Sequence, residues 1–448
     1  MRFTAKEIAR AVNGALRGDD VSVTGVTIDS REVVGGELFV PILAERDGHE
    51  FVPAAIAAGA AAYLTEPGPK LSEAIRSDAT AVVVEDTARG LLDLGRHARS
   101  RLGDRVVGIT GSVGKTTVKD LTAAALATRF TVHASPQSFN NELGVPITLA
   151  NSPEAVEAVV VEMGARGRGH IAELCEIARP AIGIVTMVAL AHAEMFGTVE
   201  EVAAAKGELV EALPTSGTAV LNGDQPLVAA MASRTGASVV TFGVDQAGVD
   251  VTASGIAIDV DLRPSFRLHS PWGEADVRLD ARGAHQVMNA LAAAAGAMAC
   301  GVPLEDVVDG LASATLSLWR MDLQRTATGA LVLNDAYNAN PTSMEAALRS
   351  LAALPARRHI AVVGVMAELG PSGPAEHRRM AELARQLEIE LIAVDTTAYG
   401  VSGVSAVAVA DDVDGALAAV GAIGNGDAIL VKGSRVAGLE QLAARLLT

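Results

Sequence analysis

A glycine-rich loop that ends in Lys115 and Thr116 carries the residue types that bind a phosphate chain. It lies in the stretch GITGSVGKTTVKDL, between an apolar run and a segment with helical periodicity. Glycines let the backbone approach phosphate oxygens, and N–H groups at the start of a helix attract negative charge. The lysine would reach the β- and γ-phosphates, and the threonine hydroxyl would hold Mg²⁺. The strict motif has glycine where this chain has Ile109, so we predict a variant loop, with a plain glycine-rich turn as the alternative. The predicted nucleotide-binding residues of this loop are Gly111, Ser112, Val113, Gly114, Lys115, Thr116 and Thr117.

Glu162 and His192 follow two apolar runs, AVVVEMG and AIGIVTMVALAH, that are typical of buried strands. In open α/β sheets, ligands bind beyond the carboxyl ends of the strands. A carboxylate at such an end is well placed to hold a metal ion on the phosphates, and a charge that simply faces water is the alternative for Glu162. Chemistry alone would not select His192, because Mg²⁺ prefers oxygen ligands.

Lys206 lies on the apolar face of a predicted helix, in the stretch TVEEVAAAKGELVEAL. Val202 and Ala203 precede it on that face, and Leu209 and Val210 follow it. Burial disfavours the ammonium form and lowers the pKa of a lysine. A neutral amine in a pocket is a nucleophile that could react with CO₂ and become a carbamate, an oxygen ligand for a metal. A lysine that extends its ammonium group to the surface is the alternative.

The elements that position these residues follow a repeated strand–helix order. From residue 101 to about 315 this order predicts a parallel sheet with helices on both faces. Inside that range, residues 249–280 alternate apolar and polar residues, which predicts a small antiparallel insertion. The order restarts over 316–448, and residues 1–100 mix short strands with Ala-rich helices. We therefore predict an α/β protein of two or three domains, with a mixed α/β region over 1–100, a phosphate-loop parallel sheet over 101–315 and a second doubly wound unit over 316–448.

The composition limits the class of partner. The chain has 448 residues, of which 50% are hydrophobic, and a formal net charge of −17. This charge argues against a nucleic-acid groove or an anionic membrane surface, but phosphate ligands need only local N–H groups and a few cations. Two cysteines far apart in sequence do not form a disulfide framework, so we expect a reducing compartment. We also expect no membrane span, because no apolar run reaches about 18 residues.

Several motifs occur in one order along the chain and together resemble those of the Mur ligases, ATP-dependent enzymes that add amino acids to the cell-wall precursor. These motifs are TGSVGKTT, FNNELGVP, VEMG, AHAEMFG, AAAKGEL, LNGD, GAHQVMNALAAAA and NDAYNANPTSM. The resemblance covers essentially the whole chain. Within the family, FNNELGVP and DAYNANP are most similar to the member whose acceptor is the dipeptide D-alanyl-D-alanine.

The resemblance implies an α/β fold of three domains, in which a central P-loop parallel-sheet ATPase domain lies between an N-terminal mixed α/β domain and a C-terminal Rossmann-like domain. It implies that the first domain binds the UDP end of the precursor, the second binds ATP, and the third closes over both. It implies that Lys115 contacts phosphate and that Lys206 is carbamylated. It further implies metal ligands at Thr116, Glu162, His192 and Lys206, and nucleotide contacts at Asn289, Arg320 and Asp335. The implied substrate contacts are Ser30, Arg31, Asp47 and His49 near uridine or its phosphates, Asn140 and Asn141 near the γ-phosphate, and Tyr337 and Asn338 near the acceptor or the domain closure.

The reaction implied by the resemblance is amide synthesis through an acyl phosphate, with ATP and Mg²⁺ required. The substrates would be UDP-N-acetylmuramoyl-tripeptide and D-alanyl-D-alanine, and a cytoplasmic monomer is expected. Two alternatives stay open: a ligase with a different amino-acid acceptor, and a regulatory nucleotide-binding homologue that has lost ligation. Val113 and Val365 depart from the family pattern. Lys432 matches the pattern, and a solvated lysine at a strand end is an equal interpretation.

Overall fold

A computed structural model describes residues 1–67, 79–189, 196–400 and 407–448. His192, one of the predicted metal ligands, therefore lies outside the described residues. No helix among the described residues is long and apolar enough to cross a membrane.

The first part of the chain forms a mixed sheet with the strand order β2-β7-β6-β5-β4, in which only the β2–β7 pair is antiparallel. Strands β1 and β3 form a separate antiparallel pair. Thr4 caps the first helix in a capping box with Glu7. The strands are β1 Phe3–Thr4, β2 Ala15–Arg17, β3 Ser22–Val23, β4 Val26–Thr27, β5 Leu38–Phe39, β6 Ala62–Thr65 and β7 Thr80–Val83, and the helices are α1 Ala5–Ala11, α2 Val52–Ala57 and α3 Thr87–Ser100, with 3₁₀ turns at Ser30–Glu32 and Gly48–Phe51.

The central part forms a wholly parallel sheet with the order β13-β12-β11-β8-β10-β9. Its strands are apolar runs buried on both faces, as expected when helices cover both sides of a parallel sheet. The strands are β8 Val106–Thr110, β9 Val132–Ala134, β10 Ala158–Glu162, β11 Ile182–Val185, β12 Thr218–Asn222 and β13 Ser238–Phe242. The helices are α4 Lys115–Ala127, α5 Gly144–Ala150, α6 His170–Ala178, α7 Val199–Glu211, α8 Pro226–Ala229, α9 Gln286–Ala299 and α10 Leu304–Ala312, with a 3₁₀ turn at Ala230–Arg234.

The antiparallel insertion predicted over 249–280 is confirmed. It consists of β14 Thr252–Ile258, β15 Pro264–Ser270 and β16 Gly273–Arg278, which pair in sequence order. Its apolar side chains Phe266, Leu268 and Val277 join the same core as α4 and α9. The insertion therefore adds to the core of the central domain.

The last part of the chain forms a second sheet with the order β17-β18-β22-β19-β20-β21, parallel except for the β17–β18 pair. Helices pack on both faces of this sheet, and their apolar side chains form two separate hydrophobic cores with it. The strands are β17 Asp322–Arg325, β18 Leu331–Asn334, β19 Arg358–Val363, β20 Glu390–Val394, β21 Val407–Ala410 and β22 Asp427–Lys432, and the helices are α11 Pro341–Ala353, α12 Gly373–Gln386, α13 Val413–Val420 and α14 Glu440–Leu447, with 3₁₀ turns at Gly370–Ser372 and Arg435–Ala437.

The first and central domains share one apolar core, which fixes them to each other. Helix α3 packs on α5 where Gly95 faces Pro146. The buried guanidinium of Arg99 on α3 donates to the carbonyl oxygens of Ala178 (2.6 Å) and Arg179 (3.1 Å) at the end of α6. These bonds satisfy carbonyl groups that a helix end leaves without a helical partner.

Close packing of α10 on α4 positions the helix that begins at Lys115. A Cβ atom at Gly310 would lie 2.5 Å from Ala125 Cα and 2.7 Å from Ala124 O, so a side chain there must push the two helices apart. We expect Gly310→Val to lower the free energy of unfolding by about 1–3 kcal/mol, measured by urea denaturation. Gly103→Ala is the control, because a Cβ atom at Gly103 meets nothing within 4 Å. Equal losses in both variants would contradict this packing.

Candidate active site

The predicted phosphate loop joins β8 to α4 in a conformation that depends on glycine. Gly114 has φ of +88°, a left-handed value that side chains disfavour, and a Cβ atom there would lie 2.7 Å from Asn289 Oδ1. A Cβ atom at Gly111 would overlap Thr186 Oγ1. The two glycines thus let the loop backbone approach the neighbouring strand end and the start of α9.

Hydrogen bonds from the segment after β11 hold the loop in place. The Ser112 N–H donates to Met187 O (2.8 Å), and the Ser112 hydroxyl donates to Ala189 O (2.8 Å). The Thr186 hydroxyl donates to Val113 O (2.6 Å). These bonds fix one N–H group, one hydroxyl and one carbonyl of the loop, so the loop is shaped before any anion arrives.

The loop opens into a cavity of about 890 Å³ between the central and C-terminal sheets. Ile28 contributes to its wall from the first domain, whereas Gly111, Ser30, Arg31, Asp47 and His49 are not among the described residues that line it. Most of the other predicted site residues do line it: Ser112, Val113, Gly114, Lys115, Thr116, Thr117, Asn140, Asn141, Glu162, Lys206, Asn289, Arg320, Asp335, Tyr337 and Asn338.

Lys115 lies at the start of α4 and donates its ammonium group to Gly111 O (2.8 Å). Burial lowers the pKa of Lys115, the Glu162 carboxylate partly opposes this shift, and the Arg320 guanidinium adds to it. An anionic ligand in the cavity would oppose this shift, because a nearby negative charge stabilises the ammonium form. The group is therefore placed to meet a phosphate.

Glu162, the last residue of β10, presents one carboxylate oxygen that has no hydrogen-bond partner among the described residues. Its Oε1 accepts from Asn140 Nδ2 (2.8 Å), whereas Oε2 is buried without a hydrogen bond in the part of the chain that the structure describes. A buried carboxylate oxygen normally has a partner, and a hard cation such as Mg²⁺ accepts this type of ligand. The side chains present therefore fit a cation held by Glu162 and the Thr116 hydroxyl. Over the described residues, no three His, Cys, Asp or Glu side chains form a metal-binding group.

Lys206 on α7 is buried, with 3% of its surface exposed. The burial predicted from its place on the apolar face is confirmed. Burial lowers its pKa well below 10.5, and repulsion from Lys115 acts in the same direction. Lys206 therefore tends to be a neutral amine that faces the cavity.

Arg320 reaches the central domain from the segment before β17. Its guanidinium donates to Thr116 Oγ1 (3.0 Å) and lies over the Tyr337 ring, 4.1 Å from the ring centroid. The Tyr337 hydroxyl is in turn hydrogen-bonded to the Ser138 hydroxyl. The residues on each side, Trp319 and Met321, have φ of +58° and +54°, an unusual backbone that often marks a functional segment.

Comparisons with known proteins agree on one family. Models of the Mur ligase family catalytic domain, the Mur ligase middle domain and the Mur ligase glutamate ligase domain match residues 22–102, 109–297 and 319–435. A protein of Mycobacterium tuberculosis, UDP-N-acetylmuramoyl-tripeptide–D-alanyl-D-alanine ligase, is 40% identical, with 100% of this chain and 98% of that protein covered. The chain belongs to the Mur ligase family. An Escherichia coli K12 protein of the same name is 36% identical over 90% of this chain and 88% of its own length.

Solved structures of Mur ligases share the whole fold. The crystal structure of MurF from Acinetobacter baumannii has a TM-score of 0.88 and 29% identity, and covers 100% of this chain and 99% of its own. The MurF ligase from Thermotoga maritima, solved in complex with ADP, has a TM-score of 0.81 and 26% identity, with 95% and 97% covered. The predicted three-domain α/β fold is thereby confirmed.

In this Mur ligase the sequence left the role of Lys432 open, and one of the two interpretations is wrong. Lys432 is not a solvated lysine at a strand end: it is 1% exposed and its Nζ lies 2.5 Å from Asp335 Oδ2. The partner could not be read from the sequence because β18 and β22 are far apart along the chain. The sequence also missed Gln286, a buried cavity residue whose Oε1 accepts from Asn289 Nδ2 (2.8 Å).

The first-domain candidates form local contacts away from the cavity. Arg31 is exposed and ion-paired to Asp29 (2.6 Å), whose carboxylate also accepts from the Arg31 N–H (2.9 Å). His49 Nδ1 lies 2.7 Å from Asp47 Oδ1. Ser30 begins the 3₁₀ turn that Asp29 caps. Their predicted contact with the uridine end of a substrate stays a prediction.

Burial of the Lys206 amine predicts a pH-dependent cost of folding in this Mur ligase. Below pH 10.5 the unfolded chain protonates Lys206 while the folded chain resists protonation, so the destabilisation of the fold grows as the pH falls and reaches its full size below the lowered pKa. We expect Lys206→Met to be more stable than the wild type at pH 7.5 in CO₂-free buffer, by about 1.4 kcal/mol for each unit of pKa lowering. The gain should vanish towards pH 10.5, as followed by urea denaturation across pH.

Lys6 provides the matched control for this experiment because it is exposed. Lys6→Met should show no such pH-dependent difference from the wild type. A constant difference between Lys206→Met and the wild type from pH 7.5 to 10.5 would contradict the neutral amine.

Proposed function

We propose that the chain is an ATP-dependent amide ligase that joins D-alanyl-D-alanine to the carboxylate of UDP-N-acetylmuramoyl-tripeptide in peptidoglycan precursor synthesis. The observation that carries this proposal is the single cavity in which the phosphate loop, Glu162 and Lys206 of the central domain face Arg320 and Asp335 of the C-terminal domain. The printed names of the relatives that match the whole chain support the choice of acceptor.

In the proposed reaction ATP is a substrate. A carboxylate oxygen of the tripeptide attacks the γ-phosphorus, an O–P bond forms, the bond to the bridging oxygen breaks, and ADP leaves. The amine of the dipeptide then attacks the acyl carbon, the C–N bond forms, phosphate leaves and the amine loses a proton. Two anions must meet in the first step, so Lys115, Arg320 and the N–H groups of the loop neutralise charge in a cavity with little water. Closure of the C-terminal domain excludes water from the acyl phosphate.

The residues that would hold Mg²⁺ are Thr116, Glu162 and a carbamylated Lys206, with His192 proposed as a further ligand. When bound, Mg²⁺ would supply positive charge next to the phosphates. Glu162 Oε2 supports this assignment because it is a buried oxygen without a protein partner among the described residues. The carbamate forms when the neutral Lys206 nitrogen attacks CO₂, a C–N bond forms and the nitrogen loses one proton. The lowered pKa of Lys206 favours this step because it supplies the neutral amine.

The remaining site residues receive positioning and binding roles. Asn140 orients Glu162 by its 2.8 Å hydrogen bond, and Asn141 Oδ1 accepts from the Gly144 N–H (2.9 Å) at the start of α5. Asn289 is proposed to contact adenine, and Tyr337 and Asn338 are proposed to contact the acceptor.

The domain limits near residues 100 and 315 are part of the same proposal. Cys175 and Cys300 are free thiols, which supports action in a reducing compartment, the cytoplasm.

The function is tested by the substrate dependence of ADP release. We expect release of ADP and phosphate in equal amounts only when ATP, UDP-N-acetylmuramoyl-tripeptide and D-alanyl-D-alanine are all present, with the ligated product detected by mass spectrometry. Omitting each substrate in turn is the control. Turnover with another amino acid in place of the dipeptide would favour a different acceptor. ADP release that is indifferent to both other substrates would overturn the ligase proposal.

The carbamate is tested through Lys206→Ala. We expect this variant to lose ligase activity by at least about 100-fold, because a charge-stabilising group next to the reacting phosphate is lost. Short carboxylic acids that fit the vacated space should restore part of the activity, and bicarbonate should raise the activity of the CO₂-depleted wild type but not of the variant. Lys6→Ala, at an exposed lysine, serves as the control. Full activity of Lys206→Ala would rule this role out.

A further inference from the structure

Lys432 is a buried cation whose contacts fall on a single loop. It ends β22 and lies beside Asp335, which follows β18, because these parallel strands align Asn334 with Val431. Its ammonium group lies 2.5 Å from Asp335 Oδ2 and donates to Asn338 O (2.8 Å). Lys432 therefore binds both the carboxylate that begins the 335–340 loop and a carbonyl in the middle of it.

The Asp335 carboxylate is held from both sides by these neighbours. Its Oδ2 meets Lys432, and its Oδ1 accepts from the Met321 N–H (3.2 Å), directly after Arg320. The carboxylate is thus fixed between the loop and the segment that carries Arg320, and both acid and guanidinium line the cavity. Burying an ion pair gains little stability, because desolvation offsets the attraction. A positioning role explains its place better than a stabilising one.

Ser434 extends the same arrangement to a second loop. Its hydroxyl donates to Ala339 O (3.3 Å) and accepts from the Ala367 N–H (2.9 Å). The segment after β22 therefore joins the loops after β18 and β19, at the carboxyl ends of three adjacent strands. In α/β sheets this is the edge at which ligands bind.

We propose that Lys432 is a positioning residue for the nucleotide: it fixes the Asp335 carboxylate and the 335–340 loop so that Asp335 meets ATP, without touching ATP itself. This inference rests on the proposed function, in which Asp335 contacts the nucleotide. Lys432 acts only through Asp335 and the loop, so its effect on the nucleotide depends on an intact acid at position 335.

A double-mutant cycle on the full chain tests this dependence. We measure the Kd of a non-hydrolysable ATP analogue by isothermal titration calorimetry for the wild type, Lys432→Met, Asp335→Asn and the double variant. Lys432→Met should raise the Kd by about tenfold when Asp335 is present, since a charge-assisted hydrogen bond no longer holds the acid. In the Asp335→Asn background the same substitution should change the Kd by less than about twofold. Lys432→Arg should keep most of the affinity.

Steady-state kinetics and a control variant complete the experiment. In Lys432→Met the KM for ATP should rise, while the KM for the UDP-tripeptide stays near the wild-type value. Arg358→Met is the matched control, because it breaks an ion pair with Glu390 (2.8 Å) at the opposite edge of the same sheet. This control should leave the Kd unchanged.

Two results would overturn the inference. One is a folded Lys432→Met with wild-type Kd and only a lower melting temperature, which would make the pair merely structural. The other is an equal loss of affinity in both backgrounds, which would mean that Lys432 contacts the nucleotide itself. The failure of the proposed function is separate: it would appear as wild-type protein that binds the analogue but releases no ADP in response to the two other substrates.

Discussion

Repulsion between Lys115 and Lys206 is the constraint on which the site depends. Lys206 is buried and Lys115 is half-buried at one cavity, and the charge of Lys115 lowers the pKa of Lys206 beyond the effect of burial alone. Two ammonium groups in such a place are costly unless one loses its proton or an anion arrives. Glu162 opposes the lowering of the pKa of Lys115 but is not among the causes that act on Lys206, so the shift of Lys206 is the one without a compensating acid. The same constraint favours a phosphate ligand and a chemically reactive Lys206, so binding and the proposed carbamylation have one physical origin.

Parallel sheets explain how these groups come together from distant parts of the chain. The carboxyl ends of β8 and β10 deliver the phosphate loop and Glu162, and the carboxyl ends of β18 and β22 deliver Asp335 and Lys432 across the cavity. Each sheet needs only short loops to place its polar residues, because its strands are fixed by buried apolar side chains. The charge of the whole chain is −17, yet Lys115 and Arg320 line the cavity beside the acids Glu162 and Asp335, so the positive charge offered to a phosphate is local.

Local patterns predicted the phosphate loop, the burial of Lys206 and the antiparallel insertion, because each depends on residues close together in sequence. The apolar residues around Lys206 lie within two helical turns, so the local pattern alone was sufficient to predict that this lysine is buried. The Lys432–Asp335 pair depends on the order β18-β22-β19, which no local pattern specifies. The first-domain candidates came from the resemblance alone, and Asp29 and Asp47 explain locally why Arg31 and His49 are held where they are. His192 lies outside the described residues, so its predicted role stays a prediction.

Arg320 links the two sheets, and its present contacts define what must change when the substrates bind. The guanidinium donates to the Thr116 hydroxyl, the group proposed to hold the metal ion, and lies over the Tyr337 ring. If Thr116 held Mg²⁺, that ion and the Arg320 guanidinium would compete for the oxygen of one hydroxyl. Trp319 and Met321 have left-handed backbone conformations, which fix the direction in which the Arg320 side chain extends from the backbone. The Met321 N–H donates to Asp335, so the segment that carries Arg320 is joined to the carboxylate that Lys432 holds.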